Sequence, residues 1–517
     1  MTAEAAHDEG RNKEDIAALA KGGRTNVFGF VLRLAARIPF LLIAGRLYGP
    51  DALGRFAYAI LIIEFAAQLA SMGLRRGLAE ILSRQTDAEK SHNHAVADAL
   101  LIGILTSAIG AAFLIAIPQL MFPNSGINGM DRFLPVVIFF IVITDIALAA
   151  LAYRFDIAST VRARAVVEPW TISIAAGALY FYSARDGLII AYVLSLLAGL
   201  VVAVYPLWRS YGLPFGYRPD FQNLAAITRR NLPLAAADAS EWGSRRLDLA
   251  ILGLFASPAI VGIYYVAQQV ASLPQKLKTS FDPVLGPVIT RNLKTRQYGE
   301  IAKQVGQVGF WIISAQAGIA LALGIPAEGV MGLLGPQFVG GTGALAFLLA
   351  AEVAAATSVV SEAALIYMAR LRNLFISLAM LGLQVLFSVI LIHAVDWIGI
   401  AGRARGLYQA AAVAIALMLA LGVSSIIKAR LLSKLLNAPI SIWRWPLIWA
   451  VTAAAVIGTA ATYLPEWAEL SLGIPAILGV YGWIIWTRGF DAKDRALLGK
   501  DKKPSTEPKP TEPQPAP

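Results

Sequence analysis

Long apolar stretches separated by short polar segments recur along almost the whole chain. A helix needs about 20 mostly apolar residues to cross the hydrocarbon core of a bilayer. Hydrophobic residues make up 57% of the 517 residues and charged residues only 15%, which excludes a soluble globular fold. The sequence predicts an all-α, polytopic membrane protein with about fourteen transmembrane helices, near residues 27–47, 52–74, 95–117, 133–153, 161–182, 186–207, 230–255, 259–281, 304–325, 343–368, 372–395, 400–427, 442–463 and 468–487.

The basic residues predict how these spans are oriented. Cytoplasmic loops of membrane proteins carry an excess of Lys and Arg, and an even number of spans places both termini on one side. With both termini in the cytoplasm, most of the 44 basic residues fall in cytoplasmic segments. The net charge of +11 therefore reflects topology and gives no reason to expect nucleic-acid binding. The predicted outer loops contain only Arg46, Arg55, Arg132, Arg185, Arg403 and Arg405.

The distribution of polar residues predicts the domain organisation. Residues 1–24 are polar and are expected to form a cytoplasmic N-terminal segment without a cleavable signal peptide. Residues 488–517 are charged and then Pro-rich, which is typical of a disordered cytoplasmic tail. Between these ends we expect an N-lobe of spans 1–6 at 25–207, a cytoplasmic linker at 208–229, a C-lobe of spans 7–12 at 230–427, and spans 13–14 at 428–487.

A weak internal repeat supports two lobes of six spans. A shift of 208 residues pairs an arginine with an arginine inside the predicted membrane, and it also pairs two short loops that each contain a Pro and end in Gly. Spans 1 and 7 both start in the cytoplasm, so the lobes are predicted to be parallel repeats around an axis along the membrane normal. The aligned identities are Arg37 with Arg245, Leu41 with Leu249, Ile43 with Ile251, Gly45 with Gly253, Gly54 with Gly262, and Ala59 with Ala267.

Charged side chains inside the spans are the candidate functional residues. An ionisable group in the hydrocarbon costs at least about 2.5–3.5 kcal/mol, so it normally faces a polar interior. Span 1 carries Arg33 and Arg37 on one helical face and has no acid. Span 7 carries a stripe of charges on one face, with Arg246 beside it. The stripe consists of Asp238, Glu241, Arg245 and Asp248.

Two interpretations of the arginines remain open. In the structural one, Glu241 and Asp248 neutralise Arg245, while Arg33 and Arg37 extend to the cytoplasmic interface. In the functional one, Arg37 and Arg245 face each other across a central cavity and bind an anion, since a guanidinium pairs two phosphate oxygens at once. The missing acid in span 1 favours the functional interpretation. The candidate sites for coupling to H⁺ or Na⁺ are Asp248, Asp145, Glu241 and Asp238.

The composition gives no support for metal, redox or enzyme chemistry. The chain has no Cys and only 4 His, so disulfides, thiolate zinc sites and iron–sulfur clusters are excluded. No HExxH, GxSxG or Walker A motif is present. We therefore expect no enzyme activity, no cofactor and no metal. Any transport would be driven by an ion gradient or by the solute's own gradient.

Several motifs resemble those of a known membrane-protein family. They are Leu42–Phe56, Gly73–Arg76, Arg246–Asp248, Val261–Tyr264, Pro283–Pro287, Leu333–Val339 and Ile398–Gly402. As a set, and in this order, they resemble the bacterial polysaccharide-biosynthesis flippases of the multidrug/oligosaccharidyl-lipid/polysaccharide exporter superfamily. Arg403 and Arg405 depart from the small residues that are usual after the last motif, and the polar tail also lies outside the family pattern.

The resemblance implies a fourteen-helix fold with two lobes, a central cavity and alternating access. The implied substrate is an oligosaccharide linked through pyrophosphate to a polyprenol. It would be moved from the cytoplasmic to the periplasmic leaflet of the inner membrane, with membrane lipids and a glycan polymerase as partners. Arg37 and Arg245 would hold the pyrophosphate, with Arg33 and Arg246 assisting.

Three alternative functions stay open. The first is an ion-coupled exporter of small molecules or drugs, which would depend on membrane acids more than on arginines. The second is a flippase for the peptidoglycan precursor. That substrate also contains a pyrophosphate. The third is a membrane scaffold for a glycan polymerase that transports nothing, although a scaffold has no need of paired arginines within the membrane.

Overall fold

The computed structural model describes residues 38–84, 89–278, 293, 298–440 and 443–491. All secondary structure in these ranges is helical. Several predicted features lie outside the described residues: the N-terminal segment at 1–24, Arg33 and Arg37, the motif Pro283–Pro287, and the tail beyond 491.

Sixteen helices of eight or more residues are numbered in chain order over the described ranges. Their bounds are α1 Gly49–Ala70, α2 Leu74–Ser83, α3 Glu89–Ala116, α4 Val137–Tyr153, α5 Glu168–Leu179, α6 Gly187–Tyr211, α7 Phe221–Ser244, α8 Leu247–Phe255, α9 Pro258–Lys278, α10 Tyr298–Gly324, α11 Ala327–Leu334, α12 Thr342–Met368, α13 Arg370–Trp397, α14 Gly402–Leu436, α15 Trp445–Ala461 and α16 Ile474–Ile484. Shorter helical segments are Ala44–Tyr48, Pro118–Leu120, Gly129–Phe133, Leu134–Val136, Ile157–Val161, Arg162–Val167, Pro336–Gly341, Glu466–Ala468, Glu469–Gly473 and Ile485–Gly489.

The helices confirm an all-α, polytopic membrane protein. In the described part of the chain, 9 helices are long and apolar enough to cross a membrane. Several helix ends coincide with the predicted spans: α4 ends at Tyr153, and α12 covers Thr342–Met368. Predicted span 7 differs, because the chain there forms two helices, α7 and α8, with a break at Arg245 and Arg246.

The two arginines that depart from the family pattern lie at the start of α14. Gly402 has a φ of 68° and begins this helix, so Arg403 and Arg405 fall in its first turn. The Arg405 guanidinium lies 2.7 Å from the carboxylate of Asp396, and Arg403 donates to the carbonyl oxygen of Gln337 at 3.0 Å. The two side chains are therefore fixed to the end of α13 and to the helical segment Pro336–Gly341.

The chain forms two compact units that alternate along the sequence. The first contains Met1–Ser272, Ala327–Ala351 and Ser377–Leu421, and the second contains Leu273–Pro326, Glu352–Ile376 and Gly422–Pro517. The predicted lobes at 25–207 and 230–427 follow the sequence repeat, and that division stays a prediction.

In the first unit, the repeat-related helices α1 and α9 cross at two glycines. A Cβ on Gly54 would lie 1.7 Å from the carbonyl oxygen of Pro258, and a Cβ on Gly262 would lie 2.0 Å from that of Pro50. The two contacts are reciprocal, because the repeat shift relates Gly54 to Gly262 and Pro50 to Pro258. Only glycine allows the two backbones to approach so closely.

A second reciprocal pair of contacts joins the two sequence repeats within this unit. We call the part of the unit that belongs to each repeat a half. Asn124 donates from its amide to the carbonyl oxygen of Gly253 at 2.9 Å and to that of Ala256 at 3.0 Å. Gln337 donates to the carbonyl oxygen of Gly45 at 3.2 Å. Gly45 and Gly253 are equivalent in the repeat, so each half uses a side-chain amide to bind the corresponding carbonyl of the other half. This arrangement is expected of two repeats related by a pseudo-two-fold axis.

In the second unit, α10, α12, α15 and α16 share a buried apolar core with the end of α14. The Tyr481 ring of α16 fills the space that a Cβ on Gly318 of α10 would need, at 2.9 Å. Its hydroxyl donates to the carbonyl oxygen of Ser314 at 2.8 Å. Aromatic packing and one buried hydrogen bond thus hold α16 against α10.

Candidate functional site

The predicted stripe of span 7 lies along α7 and continues across the helix break into α8. Asp238 and Glu241 belong to the last two turns of α7, and Asp248 lies in the first turn of α8. Arg245 and Arg246 occupy the break, where Arg246 has a φ of −133° and a ψ of 8°. The two arginines at the break have different neighbours: Arg245 pairs with Glu241, and Arg246 lies beside Glu64.

Two glycines bring α2 against α7 and so place Arg76 beside the stripe. A Cβ on Gly73 would lie 2.6 Å from Cβ of Leu234, and a Cβ on Gly77 would lie 2.1 Å from the side-chain oxygen of Asn231. Gly73 also has a φ of 66°, which favours glycine at the turn before α2. The tight contact sets the distance between Arg76 and the acids of α7.

Arg76 is the main ion-pair partner of the acids on α7. Its Nε lies 3.1 Å from Oδ1 of Asp238, and a terminal nitrogen lies 2.9 Å from Oε2 of Glu241. The Asp238 carboxylate is buried, and neither of its oxygens accepts a hydrogen bond within the described residues. The ion pair with Arg76 is therefore what compensates this buried charge. The sequence interpretation missed Arg76, although Gly73–Arg76 was one of the family motifs.

Arg245 is only partly neutralised. One of its terminal nitrogens lies 3.1 Å from Oε1 of Glu241, and its side chain is 56% exposed. Glu241 also pairs with Arg76, so two guanidiniums share one carboxylate. The structural interpretation is thus half supported: Glu241 pairs with Arg245, whereas Asp248 has other partners. That Arg245 and Arg37 face each other across a central cavity stays a prediction, because Arg37 lies outside the described residues.

Arg246 turns away from Arg245 towards α1. Its guanidinium lies 3.7 Å from Oε2 of Glu64 and 5.2 Å from the centre of the Trp242 ring. The side chain is mostly buried, at 29% exposure. Glu64 also accepts a hydrogen bond from the hydroxyl of Tyr192 at 3.4 Å. Arg246 is therefore held by an ion pair and a cation–π contact, as a structural residue would be.

Asp248 is a buried carboxylate with neutral partners. It accepts from the hydroxyl of Tyr264 at 2.7 Å and from the amide of Gln268 at 2.9 Å, both on α9. The residue is 2% exposed. No cation lies within ion-pair distance of Asp248 in the part of the chain that the structure describes.

The fourth candidate acid, Asp145, belongs to a separate triad within the predicted N-lobe. Arg164 pairs with Asp145 of α4 and donates to both carboxylate oxygens of Glu168, at 2.9 and 3.0 Å. Arg164 lies in the π-helical segment Arg162–Val167 that precedes α5. The sequence analysis did not name Arg164 as a candidate site residue, because the spacing of polar residues does not reveal a π-helical turn.

Positive charge is in excess around α2 and α7. Glu80 is shared by two guanidiniums at 2.8 and 2.6 Å, just as Glu241 is. Four arginines therefore share three carboxylates, which leaves guanidinium nitrogens free to bind an anion. The arginines are Arg76, Arg84, Arg230 and Arg245, and the acids are Glu80, Asp238 and Glu241. Within the described ranges, no group of three His, Asp or Glu residues could hold a metal ion.

Comparison with known families gives one match. A family described as "Polysaccharide biosynthesis protein" matches residues 43–312 of this chain. The matched region contains α1 to α9 and therefore the whole charged stripe. No curated protein matches the chain in sequence.

Several solved structures share the fold. One is described as the lipid II flippase MurJ in an inward closed conformation; it has a TM-score of 0.67 and 12% identity, over 92% of this chain and 100% of that chain. Another is an inward-facing MATE family transporter of the MOP superfamily, with a TM-score of 0.61 and 16% identity, over 78% and 95% of the two chains. A third is a MOP superfamily transporter from Pyrococcus furiosus, with a TM-score of 0.52 and 16% identity, over 81% and 96%. At these identities the likeness establishes the fold alone.

Proposed function

Because this chain belongs to the polysaccharide biosynthesis protein family, we propose that it is a flippase for a lipid-linked oligosaccharide. It moves an oligosaccharide carried on polyprenyl pyrophosphate from the cytoplasmic to the periplasmic leaflet of the bacterial inner membrane. The product serves the synthesis of a surface polysaccharide, namely O-antigen, capsule or exopolysaccharide. Both termini lie in the cytoplasm, and a glycan polymerase receives the substrate on the outer side.

The observation that carries this proposal is the exposed, half-neutralised Arg245 at the break between α7 and α8. A pyrophosphate needs donors that stay charged in a partly dehydrated site, and a guanidinium meets this need. Arg245 shares its only ion-pair partner in the described ranges with Arg76, so it keeps donors for a ligand. Interrupted membrane helices often form such binding sites. Arg37, the repeat equivalent of Arg245, completes the clamp with Arg33 assisting. Arg246 is left out of the clamp, because Glu64 and Trp242 hold its guanidinium.

Asp248 is the best-supported site for coupling to an ion gradient. Asp238 and Glu241 pair with Arg76, and Asp145 pairs with Arg164. Within the described residues, the side-chain hydrogen-bond donors to Asp248 are instead a hydroxyl and an amide. A buried carboxylate without a cation gains by taking up H⁺ or Na⁺. Uptake and release of that ion would drive the change between inward-open and outward-open states.

A second candidate is transport of the peptidoglycan precursor. The likeness to the lipid II flippase MurJ favours it, since that structure aligns with 92% of this chain. The same arginine clamp would serve both substrates, because both carry a pyrophosphate. The two candidates differ in the glycan and not in the site.

Lipid analysis of cells that lack this chain tests the proposal. We expect one polyprenyl-pyrophosphate-linked saccharide to accumulate on the cytoplasmic leaflet, detected by mass spectrometry and leaflet-specific labelling. The wild-type chain should clear it. Arg245→Ala should lower the rate of clearance about tenfold or more, because charge-assisted hydrogen bonds to phosphate are lost.

Arg218→Ala is the matched control, since Arg218 is exposed in the linker between α6 and α7 and should be dispensable. Full clearance by Arg245→Ala at normal protein levels would contradict the clamp. Intact surface polysaccharide without any accumulated lipid would contradict the flippase, and drug resistance on overexpression would then indicate a small-molecule exporter. Accumulation of the peptidoglycan precursor would indicate the second candidate.

A further inference from the structure

A cavity of about 560 Å³ lies at the C-terminal end of α6 and shares no lining residue with the site around α7. Its walls come from α6, from Asp156 after α4, and from Arg162 at the start of the π-helical segment before α5. Pro206 lies inside α6 and lines the cavity. Because proline has no N–H, the carbonyl of Val202, another lining residue, loses its helical donor.

Two arginines line this cavity, and in the described part of the chain neither lies within ion-pair distance of a carboxylate. Arg209 has no ion pair or side-chain hydrogen bond within the described residues, and Arg162 donates only to the hydroxyl of Ser159, at 3.0 Å. Asp156 is the one acid in the lining. It already caps the helix Ile157–Val161 by accepting from the N–H and the hydroxyl of Ser159, at 3.1 and 2.6 Å. The cavity therefore has two guanidiniums and one carboxylate in its lining, and offers guanidinium donors to an anion.

The lining of the cavity also contains apolar residues that belong to an exposed stripe of α6. Val201 and Tyr205 line the cavity and are 61% and 68% exposed. They belong to a stripe with helical spacing on the outside of the fold. Its members are Leu194, Leu197, Val201, Tyr205 and Trp208. An exposed apolar stripe that ends in Tyr and Trp is typical of a helix face in contact with lipid chains and the membrane interface.

We propose that this cavity binds the headgroup of an anionic membrane phospholipid. The phosphate lies between Arg162 and Arg209, and the acyl chains follow the apolar stripe of α6. Charge complementarity identifies the ligand, because basic pockets at the cytoplasmic ends of membrane helices bind anionic headgroups. The sequence places both arginines on the cytoplasmic side. The site does not depend on the proposed substrate, since it shares no residue with the arginines of α7.

Titration of the purified full-length protein with phosphatidylglycerol, followed by native mass spectrometry, tests this site. We expect bound phosphatidylglycerol in excess over phosphatidylcholine when both are supplied in equal amounts. Arg162→Gln/Arg209→Gln should weaken phosphatidylglycerol binding about thirtyfold. Arg162→Lys/Arg209→Lys should keep most of the affinity, because the charge is retained.

Two further variants test whether a loss of binding comes from the cavity itself. One controls for the loss of positive surface charge, and the other changes the cavity without removing the arginines. Arg218→Gln/Arg229→Gln removes two exposed arginines outside the cavity and should leave binding unchanged. Val202→Trp fills the cavity while both arginines remain, and should abolish binding. Equal affinity in Arg162→Gln/Arg209→Gln, or equal binding of phosphatidylcholine, would overturn the proposal. Displacement of phosphatidylglycerol by an equal amount of polyprenyl phosphate would assign the cavity to the transported lipid and also overturn it.

Discussion

At the scale of single residues, the buried Asp238 depends on Arg76. Removal of one partner of a buried ion pair leaves an uncompensated charge and is strongly destabilising. Arg76 is about half exposed and Asp238 is fully buried, so we expect Arg76→Ala to lower the free energy of unfolding by about 2–3 kcal/mol. Thermal unfolding of the detergent-solubilised protein measures this loss.

The double variant Arg76→Ala/Asp238→Asn distinguishes this pair from a general effect of α2. Asn carries no charge, so the double variant should recover most of the stability lost in Arg76→Ala. Arg75→Ala serves as the control, because the neighbouring Arg75 is exposed and forms no ion pair within the described ranges. If the two substitutions destabilise additively, Arg76 does not compensate Asp238.

At the scale of elements, the crossing of α1 and α9 depends on two glycines. Gly54→Ala would place a methyl group 1.7 Å from a backbone oxygen of Pro258, so the helices must move apart. We expect a loss of about 1–3 kcal/mol, the usual cost of overpacking a close contact. Gly262→Ala should cause a similar loss of stability, because Gly262 packs against Pro50 as Gly54 packs against Pro258. Melting temperatures in detergent report both effects.

Gly382→Ala is the matched control for the crossing. Gly382 lies inside α13, and a Cβ there would meet nothing within 4 Å. Alanine is the better helix former, so this substitution should leave the stability unchanged or raise it by up to about 1 kcal/mol. Equal melting temperatures for Gly54→Ala and Gly382→Ala would show that the crossing tolerates a side chain.

Sequence periodicity predicted the helices better than their breaks and contacts. The ends of α4 and α12 follow from where apolar residues give way to polar ones, so they could be read from the chain. The break at Arg245 could not be predicted from the sequence, because the charged residues keep helical spacing across it. The approach of Arg76 to Asp238 joins residues far apart in sequence and depends on Gly73 and Gly77. Local patterns carry no information about such a contact.

At the scale of the whole molecule, the repeat predicts how the outer ends of the two halves meet. Asn124 follows span 3 and donates to the carbonyl oxygens of Gly253, at the outer end of predicted span 7, and of Ala256, just after that span. The predicted topology places all three residues on the periplasmic side. A flippase that works by alternating access must separate these loops to release its substrate outwards. Under the proposed mechanism, contact between Asn124 and Ala256 belongs to a state that is closed to the periplasm.

Cross-linking of the two loops tests this requirement. The chain has no Cys, so Asn124→Cys/Ala256→Cys introduces the only two thiols, which a short cleavable bis-thiol reagent can join. We expect the joined protein to lose export of the surface polysaccharide and to regain it when the cross-link is cleaved. The matched control is Asn128→Cys/Asp186→Cys, whose parent side chains bond at 3.0 Å within the predicted N-lobe. Both loops of the control belong to the predicted N-lobe, so we expect it to export normally when joined. Continued export by joined Asn124→Cys/Ala256→Cys would contradict outward opening at these loops.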